Sequence, residues 1–276
     1  MTDLFAYDPS APLAITGVVR IARRRHSADI RYPSPVTGKP IGAYRVTPPP
    51  GDAPHPAILY VHWYEPSAPN SNRTQFLDEA ETMAREYGVE SLLVETMWSQ
   101  PDWYRAGRSL ASDYDDAIRQ VIELRRGLDV LLSQPGIDPA RVAYVGHDFG
   151  AMYGALLSAL DRRAKAFVFV AGASNFNNWM LFGVPPDQPG LDDYKARMEP
   201  LAPARFVART APAAILFQFG SEDFYTPEAD YTAFFNTASE PKDVRVYPSE
   251  HAMDSDAIRA DRIAFLVSQL GLKARS

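Results

Sequence analysis

The chain has 276 residues, 46% of them hydrophobic and 22% charged, with a formal net charge of -6. That length suits one large α/β domain, residues 1–276, over a buried sheet, and the acidic balance disfavours nucleic acid and anionic membranes as partners. The absence of cysteine excludes disulfides, a thiol nucleophile and a cysteine-based zinc site.

The first residues, MTDLFAYDPSAP, show no basic segment followed by an apolar core, so no secretory signal is expected there. The longest apolar run, 164–173, contains Lys165 and is too short to span a bilayer. The expected compartment is the cytoplasm. Arg23, Arg24, Arg25 and His26 form the one basic cluster; beside a predicted strand it reads as a solvated edge.

Taken in chain order, residues 14–46 carry two short strands, AITGVVRIAR and IGAYRVTP, read as an antiparallel edge. A proline-rich connection, TPPPGDAPHP, follows. From residue 57 onward, continuous apolar runs alternate with amphipathic ones. AILYVHW (57–63) reads as a strand covered on both faces. Phe76, Leu77, Ala80, Met83, Ala84 and Tyr87 share one face of a helix over 74–88, which Gly88 stops. A strand over 89–95 precedes a long helix over 112–134, with Ser112 as its expected cap and acidic residues in its first turn. Further strands are expected over 141–146, 164–172, 213–220 and 243–249, with helices from Phe149, over 227–238 and over 256–271. The connection from Ala173 to Pro212 carries Phe176, Trp179, Met180, Leu181, Phe182 and Tyr194 and reads as a reduced lid. The alternation predicts a doubly wound, mainly parallel sheet.

Chemistry in such sheets gathers at the carboxyl ends of strands. The strand 141–146 runs into Gly146-His147-Asp148-Phe149-Gly150. Small residues on both sides of a sharp strand-to-helix turn leave the central side chain held up at a helix terminus. The strand 213–220 is followed by Ser221-Glu222-Asp223, and the strand 243–249 by Glu250-His251. Asp148, Asp223 and His251 thus stand in the order nucleophile position, acid, histidine. The loop His62-Trp63-Tyr64-Glu65 occupies the place that supplies one oxyanion-hole amide. The expected donors are the backbone N–H groups of Trp63 and Phe149.

Blander readings stand beside these. Asp148 would serve as a helix N-cap, and Asp223 as a turn residue with Glu222 its local rival. His62 and His147 read as packing residues, and Glu95 as a paired or solvated glutamate. No cluster has metal-ligand spacing; His62 and Glu65 alone are insufficient. Tyr64, Trp98, Trp179 and Tyr194 are the candidate substrate-binding residues, with Tyr153 and Tyr225 further candidates for assisting a leaving group. Trp103 and Tyr104 read as rim or surface-packing residues.

On AILYVHW, FLDEA, GIDPARVAYVGHDFGA, FQFGSEDFYTP and YPSEHAMD, the chain resembles the α/β-hydrolase superfamily over nearly its full length. Its scaffold looks most like the dienelactone hydrolase and acetyl-esterase branch. The elbow departs from that branch, which uses serine or cysteine. Gly-His-Asp-Phe-Gly-Ala is instead similar to the elbow of epoxide hydrolases and haloalkane dehalogenases. That resemblance implies Asp148 as nucleophile, Asp223 as acid and His251 as base.

A carboxylate that attacks an ester carbonyl gives an anhydride, whereas attack on an sp3 carbon gives a stable alkyl ester. The first expectation is therefore a cofactor-free hydrolase acting on a small, mostly apolar molecule of epoxide or carbon–halogen type. It would form an Asp148 ester that His251-activated water hydrolyses. The helix terminus is expected to keep Asp148 ionised. The second is an ester or lactone hydrolase in which Asp148 is a base or positions water. The third is a non-catalytic small-molecule binding protein on a hydrolase fold. The chain is expected to be a monomer or a homodimer, the antiparallel edge offering a pairing surface.

Overall fold

The computed structural model describes residues 2–21, 26–51, 54–67 and 72–275. Arg23, Arg24 and Arg25 of the basic cluster lie outside those residues; His26 is an exposed turn residue. Among the described residues nine strands form one sheet: β1 (Thr16–Arg20), β2 (Ser27–Pro33), β3 (Pro40–Val46), β4 (His55–Val61), β5 (Glu90–Val94), β6 (Ile137–His147), β7 (Ala166–Val170), β8 (Ala214–Gly220) and β9 (Lys242–Tyr247). Their spatial order is β1-β2-β3-β5-β4-β6-β7-β8-β9. Pairs from β1 to β3, and β3 with β5, are antiparallel; all pairs from β5 through β4 to β9 are parallel.

The expected edge therefore forms, with one strand more than the sequence suggested. β2, SADIRYP, places Ile30 and Tyr32 inward and leaves Arg31 exposed. Asp29 and Arg31 break its apolar run, so its signal is only the weak alternation of a strand with one wet face.

The helices are α1 (Leu77–Tyr87), α2 (Asp113–Leu132), α3 (Phe149–Leu160), α4 (Asn177–Met180), α5 (Leu191–Met198), α6 (Pro203–Val207), α7 (Glu228–Thr237) and α8 (Asp256–Gln269). Side chains alternate across a strand, and the two packed layers follow that rule. Leu59 and Val61 of β4, with Tyr144 of β6 and Phe167 of β7, face a core shared with α2 and α3. Ile58, Tyr60, Val145 and Val168 face the opposite core, with Met83 of α1 and Ile258 and Leu266 of α8. α3 is buried along Phe149–Ser158, as expected of a helix apolar on all sides. The connection between β7 and β8 holds the short helices α4, α5 and α6 where a reduced lid was expected. No helix among the described residues is long and apolar enough to cross a membrane.

A buried ion pair fastens α8 to α1. Arg262 Nη2 lies 2.6 Å from Glu79 Oε2, and Arg262 Nη1 donates to Gln218 Oε1 of β8 at 3.0 Å. Removing one partner strands the other charge away from water. Glu79→Ala is expected to lower stability by about 3–5 kcal/mol, read from urea unfolding. A loss below about 1 kcal/mol would mean that the guanidinium finds other partners.

Candidate active site

Three loops meet at the carboxyl ends of β6, β8 and β9. β6 ends at His147 and α3 begins at Phe149, so Asp148 alone makes the turn. Its φ is 59° and its ψ -121°, a conformation that costs a non-glycine residue about 1–3 kcal/mol. The turn is pinned on both sides. The Asp148 N–H donates to the Val170 carbonyl (2.9 Å), and the Asp148 carbonyl accepts from the Met152 N–H (3.0 Å). The flanking glycines are required by backbone approach. A Cβ on Gly146 would sit 2.3 Å from the Gly150 carbonyl oxygen, and one on Gly150 would sit 2.4 Å from that of Val61.

Asp148 does not cap α3 with its side chain. Its Oδ2 accepts the Tyr64 N–H at 3.0 Å, and Oδ1 has no hydrogen-bond partner. His251 Nδ1 lies 2.7 Å from Asp223 Oδ2, and His251 Nε2 lies 3.9 Å from Asp148 Oδ2. The second distance is an ion contact, too long for a hydrogen bond. Asp223 Oδ1 accepts the Tyr225 and Thr226 N–H groups at 2.8 and 3.2 Å. One carboxylate oxygen therefore holds its own loop while the other aligns the imidazole. Glu222, the rival acid, is exposed. All three of Asp148, Asp223 and His251 are buried, at 2%, 6% and 7% exposure.

Burial drives the charge states here. It raises the Asp148 carboxyl above the ordinary carboxylate value, against the pull of His251 and of the Tyr64 and Phe149 amides. Desolvation is the largest of these effects, and the Phe149 amide at the helix terminus opposes it. Burial also works against charge on His251, but the Asp148 and Asp223 carboxylates outweigh it and push the imidazole up to about 9. His62 and His147 behave oppositely. Burial drives His62 down to about 4 and His147 well below its usual range.

Those two histidines hold loops, as the packing reading predicted. His62 Nε2 lies 2.8 Å from the Ser99 hydroxyl. His147 Nδ1 lies 2.5 Å from Gln75 Nε2, and its Nε2 lies 2.9 Å from the His251 carbonyl oxygen. Gln75 Oε1 accepts the Trp63 N–H at 2.9 Å, so the Gln75 amide nitrogen is the donor to His147. His147 then carries its proton on Nε2 and donates it to the His251 carbonyl.

In three dimensions the chain is similar to acetyl xylan esterase 1 from Thermoanaerobacterium sp. JW/SL YS485. The TM-score is 0.75 at 15% identity, over 97% of this chain and 91% of that one. An acetyl xylan esterase from Paenibacillus sp. R4 gives a TM-score of 0.74 at 18% identity, with the same shares of each chain. Est1E from Butyrivibrio proteoclasticus gives 0.67 at 15% identity, over 87% of this chain and 99% of that one. The chain has the α/β-hydrolase fold. No protein-family model matches its sequence, and no curated protein matches it in sequence.

Within that α/β-hydrolase scaffold, three of the residues expected at the site are placed elsewhere or differently. The Trp63 amide is taken by Gln75, and the next amide, that of Tyr64, meets Asp148 instead. The Trp63 ring still lines the cavity and stacks on His147, with centroids 5.2 Å apart. Trp98 is a core residue. Its Nε1–H donates to the His62 carbonyl (3.1 Å) and its ring stacks on Tyr153. Tyr194 is tied off below the surface, its hydroxyl donating to Asp113 Oδ2 at 2.9 Å, and Asp113 also binds Arg108. Glu95 bonds the Gly42 N–H and pairs with Arg73. Tyr64, Phe149 and Trp179 do line a cavity of about 1400 Å³ with Asp148 and His251. Tyr104 and Tyr225 line it too. The Tyr104 hydroxyl donates to the carbonyls of Trp179 (2.5 Å) and Phe182 (3.0 Å), which holds the lid segment. Gln75 carried no sequence signal, since a glutamine opening an amphipathic segment reads as a surface residue. No group of three or more His, Cys, Asp or Glu among the described residues could hold a metal ion.

The raised imidazole has a measurable consequence. Its folded value, about 9, exceeds the ordinary 6.5. The stabilisation it brings is therefore complete below pH 6.5 and lost as pH rises through about 9. In Asp148→Asn one supporting carboxylate is gone. The His251 ring signals in NMR are then expected to titrate at clearly lower pH than in the parent protein. An unchanged midpoint would show that Asp223 alone sets the imidazole.

Proposed function

We propose that the protein is a hydrolase of esters or lactones in which Asp148 acts as a base on water and His251 acts as the acid. The observation that carries this reading is the placement of His251 between two carboxylates, which favours the imidazolium at neutral pH. A histidine already protonated is a poor base and a good proton donor. Asp148, with its carboxyl raised by burial, has the matching character of a base. Both groups are raised from their ordinary values, and a carboxylate and an imidazole perturbed together in one cavity are candidates for base and acid.

Water, hydrogen-bonded to Asp148 Oδ1, attacks the acyl carbon as its proton passes to the carboxylate. The tetrahedral oxyanion forms beside the positive imidazolium. His251 Nε2–H gives its proton to the leaving alkoxide as the carbon–oxygen bond breaks, releasing alcohol and acid. The proton on Asp148 returns to His251. Asp223 keeps Nδ1 protonated throughout, so Nε2 is the atom that exchanges protons. Direct attack of Asp148 on the acyl carbon would give an anhydride, so the base role suits acyl substrates better. The similar scaffolds of the two acetyl xylan esterases support the acyl class.

One observation favours a second reading. The Tyr64 amide already binds Asp148 Oδ2, which leaves Oδ1 free. That division suits a carboxylate that attacks an sp3 carbon, as in epoxide opening or halide displacement. The oxyanion formed later on Asp148 would then already face an amide.

Single-turnover hydrolysis in heavy-oxygen water separates the two. Base catalysis puts the isotope in the acid product and leaves the peptide containing Asp148 unlabelled. Label in that peptide sinks the base route and supports the alkyl ester. The pH profile gives an independent check. For base catalysis kcat/KM rises as Asp148 ionises, above the usual carboxylate range, and falls through about 9 as His251 loses its proton. Asp223→Asn is expected to move the alkaline limb to lower pH and to cut the rate by about 100- to 10000-fold. A profile that keeps rising past pH 9 would contradict His251 as the acid.

A further inference from the structure

The cavity over Asp148 and His251, at about 1400 Å³, is larger than a small acyl group fills. Asp148 and His251 line it, and Asp148 Oδ1 and His251 Nε2 are buried polar atoms without hydrogen-bond partners on side chains more than nine-tenths buried. One wall is a continuous run of rings. Trp179 and Tyr225 each lie 5.2 Å from the His251 ring. Phe182 lies 5.7 Å and Phe224 5.5 Å from Tyr225. Phe224 is 77% and Phe182 52% exposed, so the run leads from His251 to the outside. Contiguous exposed rings of this kind mark a binding surface.

Carboxylates share that cavity. Glu222 and Glu250 line it without an ion-pair partner among the described residues, and Asp230, which accepts from Asn178 Nδ2 at 2.9 Å, lines it beside them. Two arginines also line it. Arg108 is bound to Asp113, so that of these two only Arg105 has no carboxylate partner among the described residues.

We infer that this mouth selects substrates carrying a cationic group, such as an ester or lactone with a substituted ammonium head. The inference rests on the hydrolytic reading of the same site. Ring faces attract cations through their quadrupole, most strongly for weakly hydrated substituted ammonium groups. The surrounding carboxylates raise the local concentration of cations and repel a substrate bearing a free carboxylate. The reacting carbonyl then lies over Asp148 and His251 while the head group rests against Phe182, Phe224 and Tyr225.

The test compares the acetate ester of choline with its uncharged tert-butyl isostere, which has the same shape. At low salt kcat/KM is expected to favour the cation by about tenfold. The preference should shrink in about 0.5 M salt and in the Glu222→Gln/Glu250→Gln double variant. Equal rates, or preference for the uncharged ester, overturn the inference. Binding of benzyltrimethylammonium, measured by calorimetry, serves as a readout independent of turnover. It is expected to weaken in the double variant and with salt. If neither ester is hydrolysed but the ammonium probe binds in this manner, the hydrolytic reading fails and the cation site stands. If the probe does not bind, the cation site fails whatever the activity.

Discussion

Everything at the candidate site depends on one imidazole held between two carboxylates away from water. Asp223 lies 2.7 Å from Nδ1 and Asp148 3.9 Å from Nε2. Taking one ionised carboxylate out of water is costly, and taking out two is worse, unless a positive charge lies between them. His251 supplies that charge, which is why its proton is bound to about pH 9 despite burial. The arrangement is lopsided. Asp223 is saturated by the imidazole and two backbone amides. Asp148 has one amide and an unpartnered oxygen. The strain falls on Asp148, the group proposed to act as base, and unmet hydrogen bonds fall on its Oδ1 and on His251 Nε2.

The scaffold absorbs that strain through backbone contacts that only small residues allow. Asp148 sits at positive φ because β6 must turn into α3 within one residue. Gly146 and Gly150 let the start of α3 press against the strand and against the end of β4. His147, beside Asp148 in sequence, points the other way. It ties the turn to the His251 carbonyl and, through Gln75, to the Trp63 amide. The turn after β6 and the loops after β9 and β4 are thus joined by a neutral histidine behind the charged one. Burial keeps His147 neutral, and the Gln75 amide donating to Nδ1 fixes the tautomer this chain of hydrogen bonds needs.

The parts of the site legible in the sequence are those set by strand ends. Asp148, Asp223 and His251 each follow an apolar run long enough to be read as a buried strand, and the topology then brings the run ends together. The reading was one residue off at Trp63. Which amide after β4 faces the elbow is decided by Gln75, twelve residues along the chain, and no local pattern announces that contact. Aromatic residues were ambiguous for a different reason. Trp98 and Trp179 look alike in sequence, yet Trp98 finds a carbonyl partner in the core and Trp179 faces the cavity. Ring size says that a residue will be buried against something; the partner of its polar atom says where. β2 was missed because a strand with one wet face carries too little apolar signal once Asp29 and Arg31 interrupt it.

The position of Asp148 Oδ2 also constrains how any acyl chemistry must run. In a hydrolase with a serine at this turn, the amides after β4 and after the elbow are free to hold the substrate oxyanion. Here the carboxylate itself takes the Tyr64 amide. A substrate carbonyl therefore cannot use that donor without displacing a charged acceptor from it, and a carboxylate competes better than a carbonyl for one N–H. In the proposed ester hydrolysis the positive charge nearest the reacting carbon would belong to His251, so transition-state stabilisation and proton donation would fall to one group. Such a site has to keep its histidine charged until the leaving group departs. In the proposed hydrolysis the Asp148 carboxylate would hold that charge up to the attack of water, and once Asp148 has taken the proton of water its pull on Nε2 would lapse and His251 would give up its own proton more readily.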